Sequence, residues 1–160
     1  MQVAHDARAP ILTSHHDAGL EVAPARIHSG GMSGYTLKNL MDVEDRAKDQ
    51  GSAVEARLGR PHIDSEHLGV SYFRYAPGFR SPVGHHHREQ EEAYVVVNGS
   101  GRIKLDEDIF QLRRWDVVRV APHTVRAFEA GPDGLELIAV GSDRPEEGDG
   151  VLVRDWWTDH

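Results

Sequence analysis

From about residue 53 onward, the sequence consists of short apolar runs separated by turns rich in glycine, proline and aspartate. The turns recur every eight to twelve residues or so, about the spacing found in β-sandwiches and β-barrels. The best candidate strands contain β-branched and aromatic residues and end at turn residues. They cover residues 68–76, 94–97, 117–120 and 135–140, and a hairpin is expected over 102–112. We therefore predict an all-β domain.

The length of 160 residues suits one domain with its own core. We predict that residues 1–52 form an N-terminal arm and connector, residues 53–141 the barrel core and residues 142–160 a C-terminal tail. Within the connector, residues 41–50 favour at most a short surface helix, because their apolar face is narrow. The acidic stretch 143–149 is interpreted as a solvated loop.

The charge and the absence of cysteine exclude several classes of function. With 18 basic and 26 acidic residues, the net charge of −8 disfavours binding to nucleic acid or to anionic membranes, so we expect a small-molecule partner. Because there is no cysteine, any metal must be held by His, Asp or Glu. No apolar segment has the length of a signal peptide or a membrane span, and we expect a soluble, cytoplasmic protein.

The most informative stretch contains three consecutive histidines followed by two glutamates. In a strand, residues two apart point to the same face, so His85 and His87 can converge on one ion while the histidine between them points away. Both Glu91 and Glu92 are available as a third ligand. Glu92 is the better candidate, and its strand face also carries Tyr94.

This stretch resembles the first motif of the cupin superfamily, in which a glycine precedes a His-x-His pair, a glutamate follows and a second glycine closes the strand. Here six residues separate Glu92 from Gly99, as in that motif. The resemblance implies a double-stranded β-helix, or jelly-roll barrel, with a divalent transition metal (Fe, Mn, Ni or Zn) held by His85, His87 and Glu92. It also implies a homodimer, since cupin barrels commonly exchange terminal strands.

The second cupin motif is matched only in part, between residues 115 and 126. Its aspartate, strand and proline are present, but Trp115 and His123 replace two glycines, and Arg126 replaces the histidine that completes the metal site. An inward guanidinium opposes a metal ion, since two like unit charges about 4 Å apart repel by about 4 kcal/mol at an effective dielectric of 20. Metal binding is therefore a prediction separate from the fold.

Three arrangements of Arg126 are open. It swings outward and leaves a two-His, one-carboxylate site like that of non-haem iron oxygenases; it forms a bidentate pair with Glu92 in a metal-free pocket; or it binds a substrate anion beside a weakly held metal. His123 is an alternative ligand, and Tyr94 and Arg126 are the substrate-pocket candidates. The sequence leaves open whether the protein is a metal-dependent enzyme acting on a small polar or anionic molecule or a non-catalytic, metal-free sensor.

Overall fold

The computed structural model describes residues 34–157, and their regular structure is almost entirely β. Three short 3-10 helices lie at Leu40–Asp42, Lys48–Ala53 and Arg60–His62. The strands are β1 (Val54–Leu58), β2 (Gly69–Tyr75), β3 (Gly84–His87), β4 (Glu92–Leu105), β5 (Asp108–Arg113), β6 (Val117–Val120), β7 (Arg126–Gly141) and β8 (Gly150–Val153). The described part of the connector thus contains only short helical turns, as predicted.

The strands form one curled antiparallel sheet around the long pair β4 and β7. On one side the order is β1-β2-β7-β3-β8, while β5 and β6 both pair with β4. The hairpin of β4 and β5 runs from Ser100 opposite Arg113 to Leu105 opposite Asp108. This topology confirms the predicted all-β, jelly-roll architecture.

The core lies along β4 and β7, whose alternate residues point to the same face of the sheet. Val96 and Ile103 from β4, and Leu135 and Leu137 from β7, are at most 1% exposed. A slip of one residue in this pairing would turn these side chains towards solvent, so their burial specifies the register. The register in turn determines which side chains of neighbouring strands lie beside one another.

Strand β4 continues through residues 98–101, which the sequence predicted as a turn. Its pairing with β7 shifts register twice between Val96 and Gly101. Gly99 has a φ of +71°, and a Cβ atom there would overlap the carbonyl oxygen of Gly134. Glycine is thus required by an irregularity within a strand and not by a chain reversal.

Part of the predicted C-terminal tail belongs to the sheet. Strand β8 pairs with β3 from Gly84 opposite Val153 to His87 opposite Gly150, so the sheet extends beyond residue 141. The segment of the predicted N-terminal arm that precedes residue 34 lies outside the described residues. In the described part of the chain, no helix has the length and apolar character needed to cross a membrane.

Candidate functional site

His85, His87 and Glu92 form one cluster. Each offers one ligand atom, and these atoms lie within 4.8 Å of one another. The Nε2 atom of His87 is 3.2 Å from Oε2 of Glu92, and Nε2 of His85 is 4.0 Å from the same oxygen. The structure therefore brings together the three residues that the sequence singled out as metal ligands.

Strand geometry explains how the cluster forms. His85 and His87 belong to β3, where alternation brings both rings to one side, and Glu92 begins β4. The ring of His86 lies elsewhere, with its centroid 6.4 Å from the ring of the exposed His123. Among the residues that the structure describes, the metal-ligand cluster does not include His123, so His123 does not act as the alternative ligand in this arrangement.

Asp149 is a site residue that the sequence did not reveal. Its carboxylate is 2.7 Å from Nδ1 of His87 and accepts hydrogen bonds from the backbone N–H groups of Glu89 and Gln90 at 3.0 and 2.8 Å. With 1% exposure, Asp149 is buried, so the interpretation of 143–149 as a solvated loop is wrong at this residue. The sequence signal beside it was the short apolar run of residues 151–153, which belongs to β8 and pairs with β3.

Arg126 points inward and pairs with Glu92. Its Nη2 atom contacts Oε2 of Glu92, its Nε donates to the hydroxyl of Tyr94 at 3.2 Å, and its Nη1 donates to the carbonyl of Thr124 at 3.2 Å. The Tyr94 hydroxyl donates to the same oxygen of Glu92. Arg126 is fully buried. Of the three arrangements that the sequence left open, this is the pairing of Arg126 with Glu92, except that one carboxylate oxygen accepts instead of two.

The surroundings set the charge of the cluster residues. Burial, reinforced by the nearby Arg126 guanidinium, lowers the pKa of His85 to about 4. Burial alone would raise the pKa of Glu92, but hydrogen bonds from His87, Tyr94 and Arg126 lower it to about 2. At neutral pH, His85 is therefore neutral and Glu92 ionised, and these are the protonation states that metal ligands require.

A cavity of about 220 Å³ adjoins the cluster. Its wall combines cluster residues, apolar side chains and two arginines. The wall includes His85, His87, Glu92, Leu58, Phe73, Ala139, Arg60 and Arg144. The two pocket candidates from the sequence, Tyr94 and Arg126, are buried against Glu92 and are not part of the cavity wall.

No protein-family model and no curated protein matches the sequence. Solved structures do match. A cupin protein from Bacteroides fragilis is 21% identical with a TM-score of 0.57, covering 75% of this chain and 98% of its own. An RmlC-like cupin from Shewanella frigidimarina is 20% identical (TM-score 0.54, 72% and 96% covered), and the polyketide cyclase RemF from Streptomyces resistomycificus is 16% identical (TM-score 0.59, 78% and 87% covered). This chain has the cupin fold.

Within the cupin fold, the register of β3 and β7 explains the direction of Arg126. Arg126 is the first residue of β7 and lies directly opposite His85 of β3. Directly opposite residues of an antiparallel pair project from the same face, so position 126 faces the cluster. The second-motif resemblance places a ligand histidine at this position, and in this chain the guanidinium provides positive charge beside Glu92 instead.

Proposed function

We propose that this cupin binds one divalent transition metal ion through His85, His87 and Glu92 and acts on a small polar or anionic molecule in the adjoining cavity. The observation that carries the proposal is the convergence of three ligand atoms within 4.8 Å. The presence of a polyketide cyclase among the structural neighbours supports an activity on small molecules.

The donor set fits Fe²⁺, Mn²⁺, Ni²⁺ or Zn²⁺. Two imidazoles and one carboxylate are a common ligand set for such ions. Asp149 supports the fit because a carboxylate on the second ring nitrogen of a ligand histidine fixes its orientation and tautomer. A bound ion would supply Lewis acidity to an oxygen atom of a molecule in the cavity. The contacts of Tyr94 and Arg126 with the Glu92 carboxylate hold this ligand group in position.

Metal addition tests the proposal. At a free ion concentration of 100 times Kd, binding adds about 2.7 kcal/mol of stability and raises Tm by about 5 to 10 °C for a chain of this size. We expect this rise for protein purified without a metal-chelating tag, and we expect His85→Ala to abolish it. His67→Ala is the matched control, because His67 is exposed and does not belong to the cluster. If elemental analysis finds no metal in the purified protein and none of the four ions changes its Tm, the proposal is rejected.

Asp149→Asn is expected to weaken metal binding by about 10- to 100-fold, the usual cost of losing an outer-shell carboxylate. The substitution keeps the size of the side chain but removes the negative charge that faces His87 Nδ1. Competition with a calibrated metal chelator measures the change. Asp143→Asn is the control, since Asp143 is an exposed acid in the same segment. Equal losses in the two variants would indicate a general charge effect.

A second candidate function is a non-catalytic, metal-free sensor or ligand-binding cupin. The observation that favours it is the buried ion pair of Arg126 with Glu92, because a guanidinium there supplies the positive charge that a metal would provide. This function predicts ligand binding that is unchanged after metal is removed with EDTA and dialysis. A homodimer and a cytoplasmic location stay predictions from the sequence.

A further inference from the structure

We propose that the cavity beside the cluster selects small organic anions, and that Arg144, supported by Arg60, determines this specificity. The inference rests on the proposed function, because it names the ligand class of the same site. In one of the three arrangements that the sequence left open, Arg126 binds the anion, but Arg126 is buried and pairs with Glu92. Two other arginines, Arg60 and Arg144, line the cavity, and no pattern in the sequence selected either as a site residue.

Arg144 carries the argument because its charge has no partner among residues 34–157. It lines the cavity, it is exposed, and it makes no hydrogen bond or ion pair within the described part of the chain. A guanidinium presents five N–H donors in a planar fork that matches a carboxylate or a phosphate. Arg144 is therefore free to bind an anion that enters the cavity.

Arg60 adds a second positive charge that is held in place. Its Nη2 atom donates to the carbonyl of Gly141 at 3.0 Å and to that of Ser142. Gly69 leaves room for this guanidinium, since a Cβ atom there would lie 2.6 Å from Nε of Arg60. Both acceptors are neutral carbonyls, so the charge of Arg60 is oriented but is not neutralised by an acid among the described residues.

The net charge of the cavity favours anions. Among the described residues that line it, Glu92 is the acidic one, and its charge is already offset by Arg126. The chain as a whole carries a net charge of −8, so this positive region runs against the general charge of the protein. A cleft whose lining carries a net positive charge concentrates anions.

The size of the cavity limits the ligand. A volume of about 220 Å³ lies below the range of about 300 to 1,000 Å³ typical of pockets for drug-sized ligands. Leu58, Phe73 and Ala139 provide an apolar wall for a short carbon skeleton. The ligand class is thus a small carboxylic acid or phosphate ester, with its anionic group on Arg144 and its other end towards the cluster.

Calorimetric titration with matched probes tests the charge selection. The anions are succinate and glycerol 3-phosphate, and the neutral counterparts are succinamide and glycerol, each added to metal-loaded and to metal-free protein. We expect at least one anion to bind, and to bind at least about tenfold more tightly than its neutral counterpart, as for loss of a charge-assisted hydrogen bond. The stronger of the two anions identifies the head group. Equal binding of anions and neutral probes, or no binding of either anion at millimolar concentration, overturns the inference.

Substitution of Arg144 tests whether this residue is responsible for the preference for anions. Arg144→Gln is expected to weaken anion binding about tenfold or more, and Arg144→Lys to retain part of it. Arg113→Gln removes the same charge at a remote position where the side chain is 89% exposed, and is expected to change nothing. Anion binding that depends on Arg144, in protein that takes up none of the four added metal ions, would support this inference while rejecting the metal site. Intact metal binding with equal anion affinity in Arg144→Gln and the parent would overturn this inference alone.

Discussion

Replacing Glu92 by alanine is expected to lower the free energy of unfolding of the metal-free protein by about 3 to 5 kcal/mol. Arg126 is fully buried and the Glu92 side chain is 14% exposed, so the two charges form a pair that water hardly reaches. Without the carboxylate, the acceptors that the guanidinium keeps among the described residues are the hydroxyl of Tyr94 and the carbonyl of Thr124. An uncompensated charge then remains in the interior. Urea unfolding at pH 7, after removal of metal, measures the change.

Two further variants show whether the loss belongs to the pair. Glu91→Ala removes the neighbouring carboxylate, whose ion pair with Arg119 is exposed, and is expected to cost less than about 1 kcal/mol. The double variant Glu92→Leu with Arg126→Met removes both buried charges and is expected to regain most of the stability, because apolar side chains can replace a buried ion pair. Similar small losses for Glu91→Ala and Glu92→Ala would contradict the stabilising role of the pair.

Replacing Arg126 by histidine is expected to strengthen Zn²⁺ or Ni²⁺ binding at least about 100-fold, which corresponds to about 2.8 kcal/mol. The substitution removes a cation that contacts the ligand carboxylate and places an imidazole opposite His85. A divalent ion and a guanidinium about 4 Å apart would repel by roughly 8 kcal/mol at an effective dielectric of 20, so even partial relief suffices. Competition with a calibrated chelator gives the ratio of affinities.

The controls separate the loss of charge from the gain of a ligand. Arg126→Gln removes the charge without adding a nitrogen ligand, and we expect an affinity between those of the parent and Arg126→His. Arg119→His adds a histidine at an exposed position outside the described cluster and should leave the affinity unchanged. If Arg126→His binds no more tightly than the parent, the guanidinium does not limit metal binding.

The cluster was predictable because its information is local. His85 and His87 are two residues apart on one strand, and Glu92 opens the next strand, so alternation and one turn are enough to bring them together. The direction of Arg126 was not predictable from its neighbours. It depends on the pairing of β3 with β7, across about forty residues of sequence, and the motif alone left three arrangements open.

The residues missed by sequence analysis depend on pairings and loops far apart in the chain. Asp149 lies in an acidic stretch whose composition favours solvent exposure, and only the pairing of β8 with β3 buries it against His87. Arg60 and Arg144 are far apart in the sequence, but both line the same cavity. The composition of a segment indicates whether its residues are exposed on average, but it does not identify a single buried or cavity-lining residue such as Asp149 or Arg144.

The position of β8 would couple the local stability of this last strand to binding of an ion at the proposed metal site. In the described sheet, β8 pairs with β3 alone, over four residue pairs, and Asp149 immediately precedes it. Short edge strands of this kind open locally more easily than central strands. Fraying of β8 would release the carboxylate that contacts His87, so if the proposed metal ion binds, a bound ion and a closed β8 would stabilise each other. Amide hydrogen exchange along β8 would then report occupancy of the site from outside the pocket.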